Sequence, residues 1–130
     1  MPKGQCHCGA VRYEMTAETK HQAICHCSDC RRYAGAPLVS WALVEKAEMT
    51  VDGDTREYVS SEHGRRHFCP QCGTSLFYTN DVVFPGLIDV QTGTLDDPDE
   101  LAPQVQVQTA ERVGWMERLK EIPAFERYPG

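Results

Sequence analysis

The chain has 130 residues, of which 41% are hydrophobic and 25% are charged, and its formal net charge is −6. These values predict one globular domain over residues 1–130 and argue against a nucleic-acid partner, which usually needs a basic face. No apolar run approaches the roughly 20 residues that cross a membrane, and the N-terminus lacks a secretory signal, so we expect a cytoplasmic location and no membrane partner.

Short runs of alternating or β-rich residues, separated by Gly and Pro, predict a small all-β fold with little helix. In chain order, strands are expected over residues 10–16 and 37–44, followed by a hairpin with Asp52-Gly53 at its turn. The segments "RRHF" and "SLFYT" flank the motif "CPQCG", and "VVFPGLIDVQTGTL" and "PQVQVQT" form later strand regions. Residues 111–122 could form a short amphipathic helix that Gly114 weakens.

The seven cysteines occur in CxC, CxCxxC and CxxC motifs, which predict metal binding rather than disulfides. The CxxC motif, CPQCG, is the knuckle of zinc ribbons, in which backbone N–H groups point at thiolate sulfur. In an extended CHC segment, Cys6 and Cys8 point to the same side and His7 to the other. We therefore predict a closed structural zinc site that maintains the fold, formed by Cys6, Cys8, Cys69 and Cys72.

Cys25, Cys27 and Cys30 remain and form a second site with only three protein ligands. Three ligands with one exchangeable position are the pattern of catalytic zinc, so these cysteines are also the predicted catalytic residues. His26 lies between two of them and is expected to face away from the metal.

Other interpretations of the second site stay open at this point. Its fourth ligand could be a histidine, His63 or His67, which would make it a purely structural site. Clustered cysteines also bind iron–sulfur clusters. A CxxC pair such as Cys27 and Cys30 can serve redox chemistry instead.

Five segments in this order resemble the family of the glutathione-dependent formaldehyde-activating enzyme and centromere protein V: "GQCHCGAVRYE", "CHCSDCRRYAGAP", "RRHFCPQCGTSLFY", "GTLDDP" and "GWMERLKEIPAFERYPG". The resemblance implies a twisted β-sheet fold related to zinc ribbons, a β-tent, stapled by zinc. It also implies the same division of the cysteines into a structural and a catalytic zinc site. In the name-giving member, glutathione and formaldehyde form S-(hydroxymethyl)glutathione. One departure is Gln106, which stands where many relatives carry a histidine.

We therefore predict a zinc-dependent carbon–sulfur lyase-type enzyme that binds glutathione or a similar small thiol as the fourth zinc ligand, with a small aldehyde as the second substrate. Four arginines near the cysteine motifs are candidate anchors for the carboxylates of glutathione, with one of each pair facing the pocket: Arg31, Arg32, Arg65 and Arg66. His26 and Asp29 are candidate proton handlers, and Tyr33 is a candidate pocket wall. The alternatives are a non-catalytic two-zinc binding module, or the same chemistry on another thiol or aldehyde.

Overall fold

The computed structural model describes residues 1–129, and Gly130, the last residue of the predicted domain and of the tail motif, lies outside the described residues. The strands are β1 (Lys3–Gln5), β2 (Arg12–Met15), β3 (His21–Cys25), β4 (Val39–Glu45), β5 (Met49–Asp52), β6 (Arg56–Val59), β7 (Gly64–Phe68), β8 (Ser75–Asn80), β9 (Leu87–Gln91) and β10 (Val105–Val107). Helix α1 spans Ser28–Ala34, and short 3-10 segments cover Lys46–Glu48, Thr92–Thr94, Thr109–Glu111 and Gly114–Glu121. The mainly β prediction is confirmed.

The strands form two sheets. A three-stranded sheet has the order β1-β2-β5, and a seven-stranded sheet has the order β10-β3-β4-β9-β8-β7-β6. Strand β10 runs parallel to β3, whereas the other neighbours are antiparallel. Across residues 1–129, no helix has the length and apolar character that a membrane span requires.

The main core lies between the two sheets, and strand β4 shows how its position is fixed. Ala42 and Val44 of β4 belong to the main core, whereas Val39 and Trp41 form a second apolar cluster with Cys30. Because side chains alternate across a strand, these two pairs point to opposite faces of the seven-stranded sheet. We call the face toward the small sheet the inner face and the opposite face the outer face.

The small sheet covers the inner face with the alternating residues that the sequence predicts. Val11, Tyr13 and Met15 are buried in the main core, whereas Arg12 and Glu14 are exposed. The half-buried strand predicted over residues 10–16 is therefore confirmed. Each such buried side chain contributes about 1.5–3 kcal/mol of hydrophobic free energy, so this strand is a major contact between the sheets.

The predicted hairpin at Asp52-Gly53 is wrong. Strand β5 pairs with β2 in the small sheet, whereas β6 pairs with β7 in the large sheet. The segment between them is a crossing from one sheet to the other. A local Asp-Gly signal favours a tight turn, but burial of β2 and the long-range pairing with it determine where β5 lies.

One row of directly paired residues crosses six strands of the large sheet. The pairings place the row in the order His21, Leu43, Asp89, Tyr78, Arg66 and Tyr58. Directly opposed residues in antiparallel strands share a face, so these six side chains lie on one face. That face is the outer one, because Leu43 is two residues from Trp41 on β4.

Gly53 is required at the crossing between the sheets, which gives a test of this topology. Its φ is +104°, and a Cβ atom at this position would overlap the carbonyl oxygen of Ala10. We expect Gly53→Ala to lower the free energy of unfolding by roughly 1–3 kcal/mol. Gly93→Ala is the matched control, since a Cβ at Gly93 meets no atom within 4 Å. Urea denaturation of the metal-loaded proteins measures the free energy of unfolding of both variants. Equal stability of the two would contradict the described crossing.

Candidate active site

Four cysteines converge from two loops that are far apart in the sequence. Cys6 and Cys8 follow β1, Cys69 and Cys72 lie between β7 and β8, and their sulfur atoms all lie within 4.8 Å of one another. The sulfur of Cys8 is 3.7 Å from that of Cys6 and 3.8 Å from that of Cys69. A tetrahedron with metal–sulfur bonds of about 2.3 Å has edges of about 3.8 Å. The sulfur positions therefore fit a tetrahedral ion.

Backbone N–H groups point at the sulfur atoms of this group. The N–H groups of Gln71 and Cys72 lie 3.4 and 3.5 Å from Cys69 Sγ, and the N–H of Val11 donates to Cys6 Sγ at 3.3 Å. Hydrogen bonds to a charged acceptor are stronger than those to a neutral one. Both loops therefore direct backbone donors at sulfur atoms that would carry negative charge when bound to a metal.

Thr74 links the two loops of the four-cysteine group. Its Oγ1 accepts the N–H of His7 at 3.0 Å and lies 3.2 Å from Cys72 Sγ. Hydrogen bonding by Thr74 lowers the pKa of Cys72 to about 5. Gly73, with φ of +81°, permits the turn that brings Thr74 to this position.

Cys25, Cys27 and Cys30 form the second group, with all three sulfur atoms within 4.8 Å of one another. Cys25 ends β3, whereas Cys27 caps the N-terminus of α1, where its sulfur accepts the N–H of Cys30 at 3.3 Å. Helix α1 ends at Gly35, which has φ of +67°. The sequence analysis missed this helix, and the signals for it were a short polar start after Cys27 and the C-terminal glycine.

Within residues 1–129, no histidine or carboxylate completes the three-cysteine group. His63 is exposed and contacts Glu62 at 3.7 Å, and the ring of His67 hydrogen-bonds to Thr79 Oγ1 at 2.8 Å. Neither histidine therefore supplies a fourth ligand. The structure therefore brings four sulfur atoms together in one group and three in the other, and their role as metal ligands stays a prediction.

The three-cysteine group opens on a cavity of about 350 Å³ over the outer face of the large sheet. Its lining includes Ala23, Trp41, Val105, Val107 and Phe84. A larger cavity of about 920 Å³ adjoins it, and both are lined by Asp29, Arg66 and Tyr78. The cysteines thus line the smaller of two adjoining cavities, and the lining of that cavity is mainly apolar.

The structure separates the four predicted arginines. Arg66 is buried and lines both cavities, and Arg32 lines the larger one. Arg65 instead donates hydrogen bonds to the backbone carbonyls of residues 61, 62 and 64, and Arg31 lines neither of these cavities. Arg56, which the sequence analysis missed, also lines the larger cavity. It reaches this position from β6, a placement that no local motif indicates.

Arg66 contacts the three-cysteine group directly. Both terminal guanidinium nitrogens lie 3.9 Å from Cys30 Sγ, and the guanidinium lies 5.2 and 5.0 Å from the ring centres of Tyr33 and Tyr78. Burial and the neighbouring cysteines raise the pKa of Cys30 to about 12, and Arg66 opposes that rise. A bound divalent cation has the charge needed to convert such a thiol into a thiolate.

His26 turns away from the cysteines, as the extended pattern predicts. It is buried, and its Nε2 lies 2.8 Å from Gln106 Oε1, which also accepts a hydrogen bond from Arg112 at 3.2 Å. Because this oxygen can only accept, Nε2 of His26 carries the proton. Gln106 therefore orients His26, whereas the other proton-handling candidate, Asp29, lines both cavities.

A histidine–aspartate pair in the smaller cavity is a further feature that the sequence analysis missed. His21 Nε2 lies 3.3 Å from Asp89 Oδ1, and Asp89 is buried. The contact with Asp89 raises the pKa of His21, and burial raises the pKa of Asp89. The two residues are far apart in the sequence. They lie on β3 and β9, the two neighbours of β4 in the sheet, and their side chains meet across β4, so no local pattern reveals the pair.

Residues 1–111 match the model of the family described as glutathione-dependent formaldehyde-activating enzyme. The matched range contains both cysteine groups and all ten described strands. The chain belongs to this family. The resemblance drawn from the sequence motifs is thereby confirmed.

Individual relatives carry related names. A Halomonas elongata protein, provisionally named a glutathione-dependent formaldehyde-activating enzyme, is 28% identical over 98% of this chain and 88% of its own length. An uncharacterised lyase of Schizosaccharomyces pombe is 31% identical over 60% of this chain, and the matched part spans 58% of that protein. A crystal structure of a Rhodobacter sphaeroides protein has a TM-score of 0.60 and 24% identity, covering 81% of this chain and 99% of that one, which supports the fold.

The His21–Asp89 contact predicts a pH-dependent contribution to stability in this member of the formaldehyde-activating family. Because the contact raises the folded pKa of His21, its contribution is fully present below the unfolded pKa of about 6.5 and is lost as pH rises through the folded pKa. His21→Gln should therefore lower the free energy of unfolding more at about pH 6 than at about pH 8, by less than about 1 kcal/mol because the imidazole is partly exposed.

Urea denaturation of wild-type and variant protein at both pH values measures this difference. The titration of the seven cysteines is common to both proteins, so the difference reports the His21–Asp89 pair. An equal loss of stability at the two pH values would contradict the ion pair.

Proposed function

We propose that the protein is a zinc-dependent carbon–sulfur lyase-type enzyme that joins glutathione, or another small thiol, to formaldehyde or another small aldehyde. In the reverse direction it cleaves the same adduct. The observation that carries this proposal is the contrast between the two cysteine groups. The four-cysteine group has a complete tetrahedral set, whereas the three-cysteine group has one ligand fewer and opens on a cavity.

The donor sets suit two zinc ions. Thiolate-only groups of tetrahedral shape are typical of zinc, and the first group, which joins loops of both sheets, would hold the structural ion. Cys25, Cys27 and Cys30 would hold the catalytic one. When bound there, zinc supplies a fourth position at which the sulfur of a thiol is stabilised as a thiolate.

The residues of the larger cavity fit the rest of a peptide thiol. Glutathione has two carboxylates and one ammonium group, and Arg32 and Arg56 can bind the carboxylates through their guanidinium forks. Glu57 lines the same cavity and offers a carboxylate to the ammonium group. These local charges offset the formal charge of −6 on the whole chain, which by itself would repel an anionic substrate.

The smaller cavity fits the aldehyde. Ala23, which pairs with Trp41 on the neighbouring strand, has the smallest side chain of its lining, and the volume of about 350 Å³ has room for a small aldehyde. In the reaction a bond forms between the thiol sulfur and the carbonyl carbon, and the thiol proton ends on the carbonyl oxygen. We propose Asp29 as the carrier of that proton, since it lines both cavities next to Cys30.

The same proposal extends to organisation and location. The main core is shared by strands of both sheets, which supports a single domain over residues 1–130. None of the seven cysteines forms a disulfide, which supports a reducing compartment such as the cytoplasm.

Two matched variants test the roles of the two cysteine groups. Cys72 is exposed, so Cys72→Ser leaves core packing intact and should abolish folding only by removing a ligand of the structural zinc. Cys27→Ser should remain folded, since serine is a good helix N-cap, and should lose one of two zinc ions. Circular dichroism and elemental analysis measure fold and zinc content.

The reaction itself is tested by NMR exchange between free formaldehyde and its glutathione adduct. We expect wild-type protein to accelerate the exchange and folded Cys27→Ser protein to leave it at the uncatalysed rate. A two-zinc wild-type protein that does not accelerate exchange with any small thiol or aldehyde tested would contradict the enzyme and favour a binding module. Equal behaviour of Cys72→Ser and Cys27→Ser would contradict the division of roles.

A further inference from the structure

Arg66 is a buried cation without a carboxylate partner. Only 6% of its surface is exposed, and within residues 1–129 no carboxylate oxygen lies within 4.0 Å of its guanidinium. Its fork faces Cys30 instead, with both terminal nitrogens 3.9 Å from the sulfur. A buried charge without a counter-charge is costly, so a negative charge is required beside it.

The aromatic neighbours fix this orientation. The guanidinium packs against the rings of Tyr33 and Tyr78 at 5.2 and 5.0 Å. Tyr58 stacks on Tyr33 with 5.9 Å between ring centres and nearly parallel planes. The two cation–π contacts hold the guanidinium beside Cys30.

Three thiolates around a divalent ion have a net charge of −1, which is equal and opposite to that of Arg66. A thiolate bound at the fourth position adds a second negative charge. We propose that Arg66 is the counter-charge of the three-cysteine centre and increases its affinity for any thiol, rather than anchoring a substrate carboxylate. This inference rests on the proposed function and assigns Arg66 a positioning and electrostatic role in it, distinct from that of Arg32.

Two thiols, one with carboxylates and one without, distinguish a counter-charge of the centre from an anchor for a substrate carboxylate. Glutathione has carboxylates, whereas 2-mercaptoethanol has none, and isothermal titration calorimetry on zinc-loaded protein measures the dissociation constant of each. Arg66→Met should weaken the binding of both thiols by roughly ten- to a hundredfold, the usual effect of removing a group that supports metal ligands. Arg32→Met, the matched control, should weaken the binding of glutathione alone. Loss of glutathione affinity alone in Arg66→Met would overturn the proposal.

Arg66→Lys tests whether charge is the cause. It keeps the positive charge, so its affinities for both thiols should lie much closer to wild type than those of Arg66→Met. If Arg66→Lys loses as much affinity as Arg66→Met, packing rather than charge is responsible and the proposal is wrong. Should the methionine variant fail to fold by circular dichroism, Arg66→Gln provides the same comparison.

A measurement without added thiol separates this inference from the proposed function. Because the loaded centre is anionic, Arg66→Met should release one zinc ion to a chelator roughly ten- to a hundredfold faster than wild type, while Arg32→Met does not. Unchanged release would overturn the counter-charge role. If wild-type protein binds neither thiol yet Arg66→Met releases zinc faster, the proposed function and the effect of Arg66 on thiol affinity both fail, whereas its role as counter-charge of the loaded centre stands.

Discussion

The convergence of four sulfur atoms from two loops is the constraint on which the rest of this fold depends. Cys6 and Cys8 belong to a loop of the small sheet, whereas Cys69 and Cys72 belong to a loop of the large one. Sulfur separations near 3.8 Å, with backbone N–H groups directed at the sulfur atoms, suit a single tetrahedral ion. Such a link closes the core between the sheets. It leaves the outer face of the large sheet free for a second group of cysteines.

We propose that second group as the reactive centre. Its ligands come from the end of β3 and the start of α1, and it opens on a cavity. Around it, the row of paired residues that includes Asp89, Tyr78 and Arg66 gives the outer face a polar and aromatic character. The buried guanidinium and the anionic sulfur group each reduce the cost of burying the other. Charge balance thus connects the metal chemistry to the packing of the sheet.

Sequence reasoning reached the parts of this account that depend on short-range spacing. The two cysteine groups follow from CxC and CxxC spacing, and the buried strand with Val11 and Tyr13 follows from alternation. Predictions from the sequence were wrong or missing where contacts between distant segments determine the position of a strand or a side chain. The Asp52-Gly53 turn proved to be a crossing between sheets, because β5 gains more from pairing with β2 than from a hairpin. Arg56 reaches the cavity, and His21 meets Asp89, only through a strand register that no local pattern reveals.

We propose that a substrate thiol occupies the fourth position, beside the three cysteines. X-ray absorption at the zinc edge, with and without glutathione, tests this claim most directly because it counts sulfur neighbours. For two occupied sites, the account predicts a rise in the mean number of sulfur ligands per zinc from about 3.5 to about 4, with loss of a lighter ligand. An unchanged sulfur count at saturating glutathione, in protein that retains both zinc ions, would contradict it.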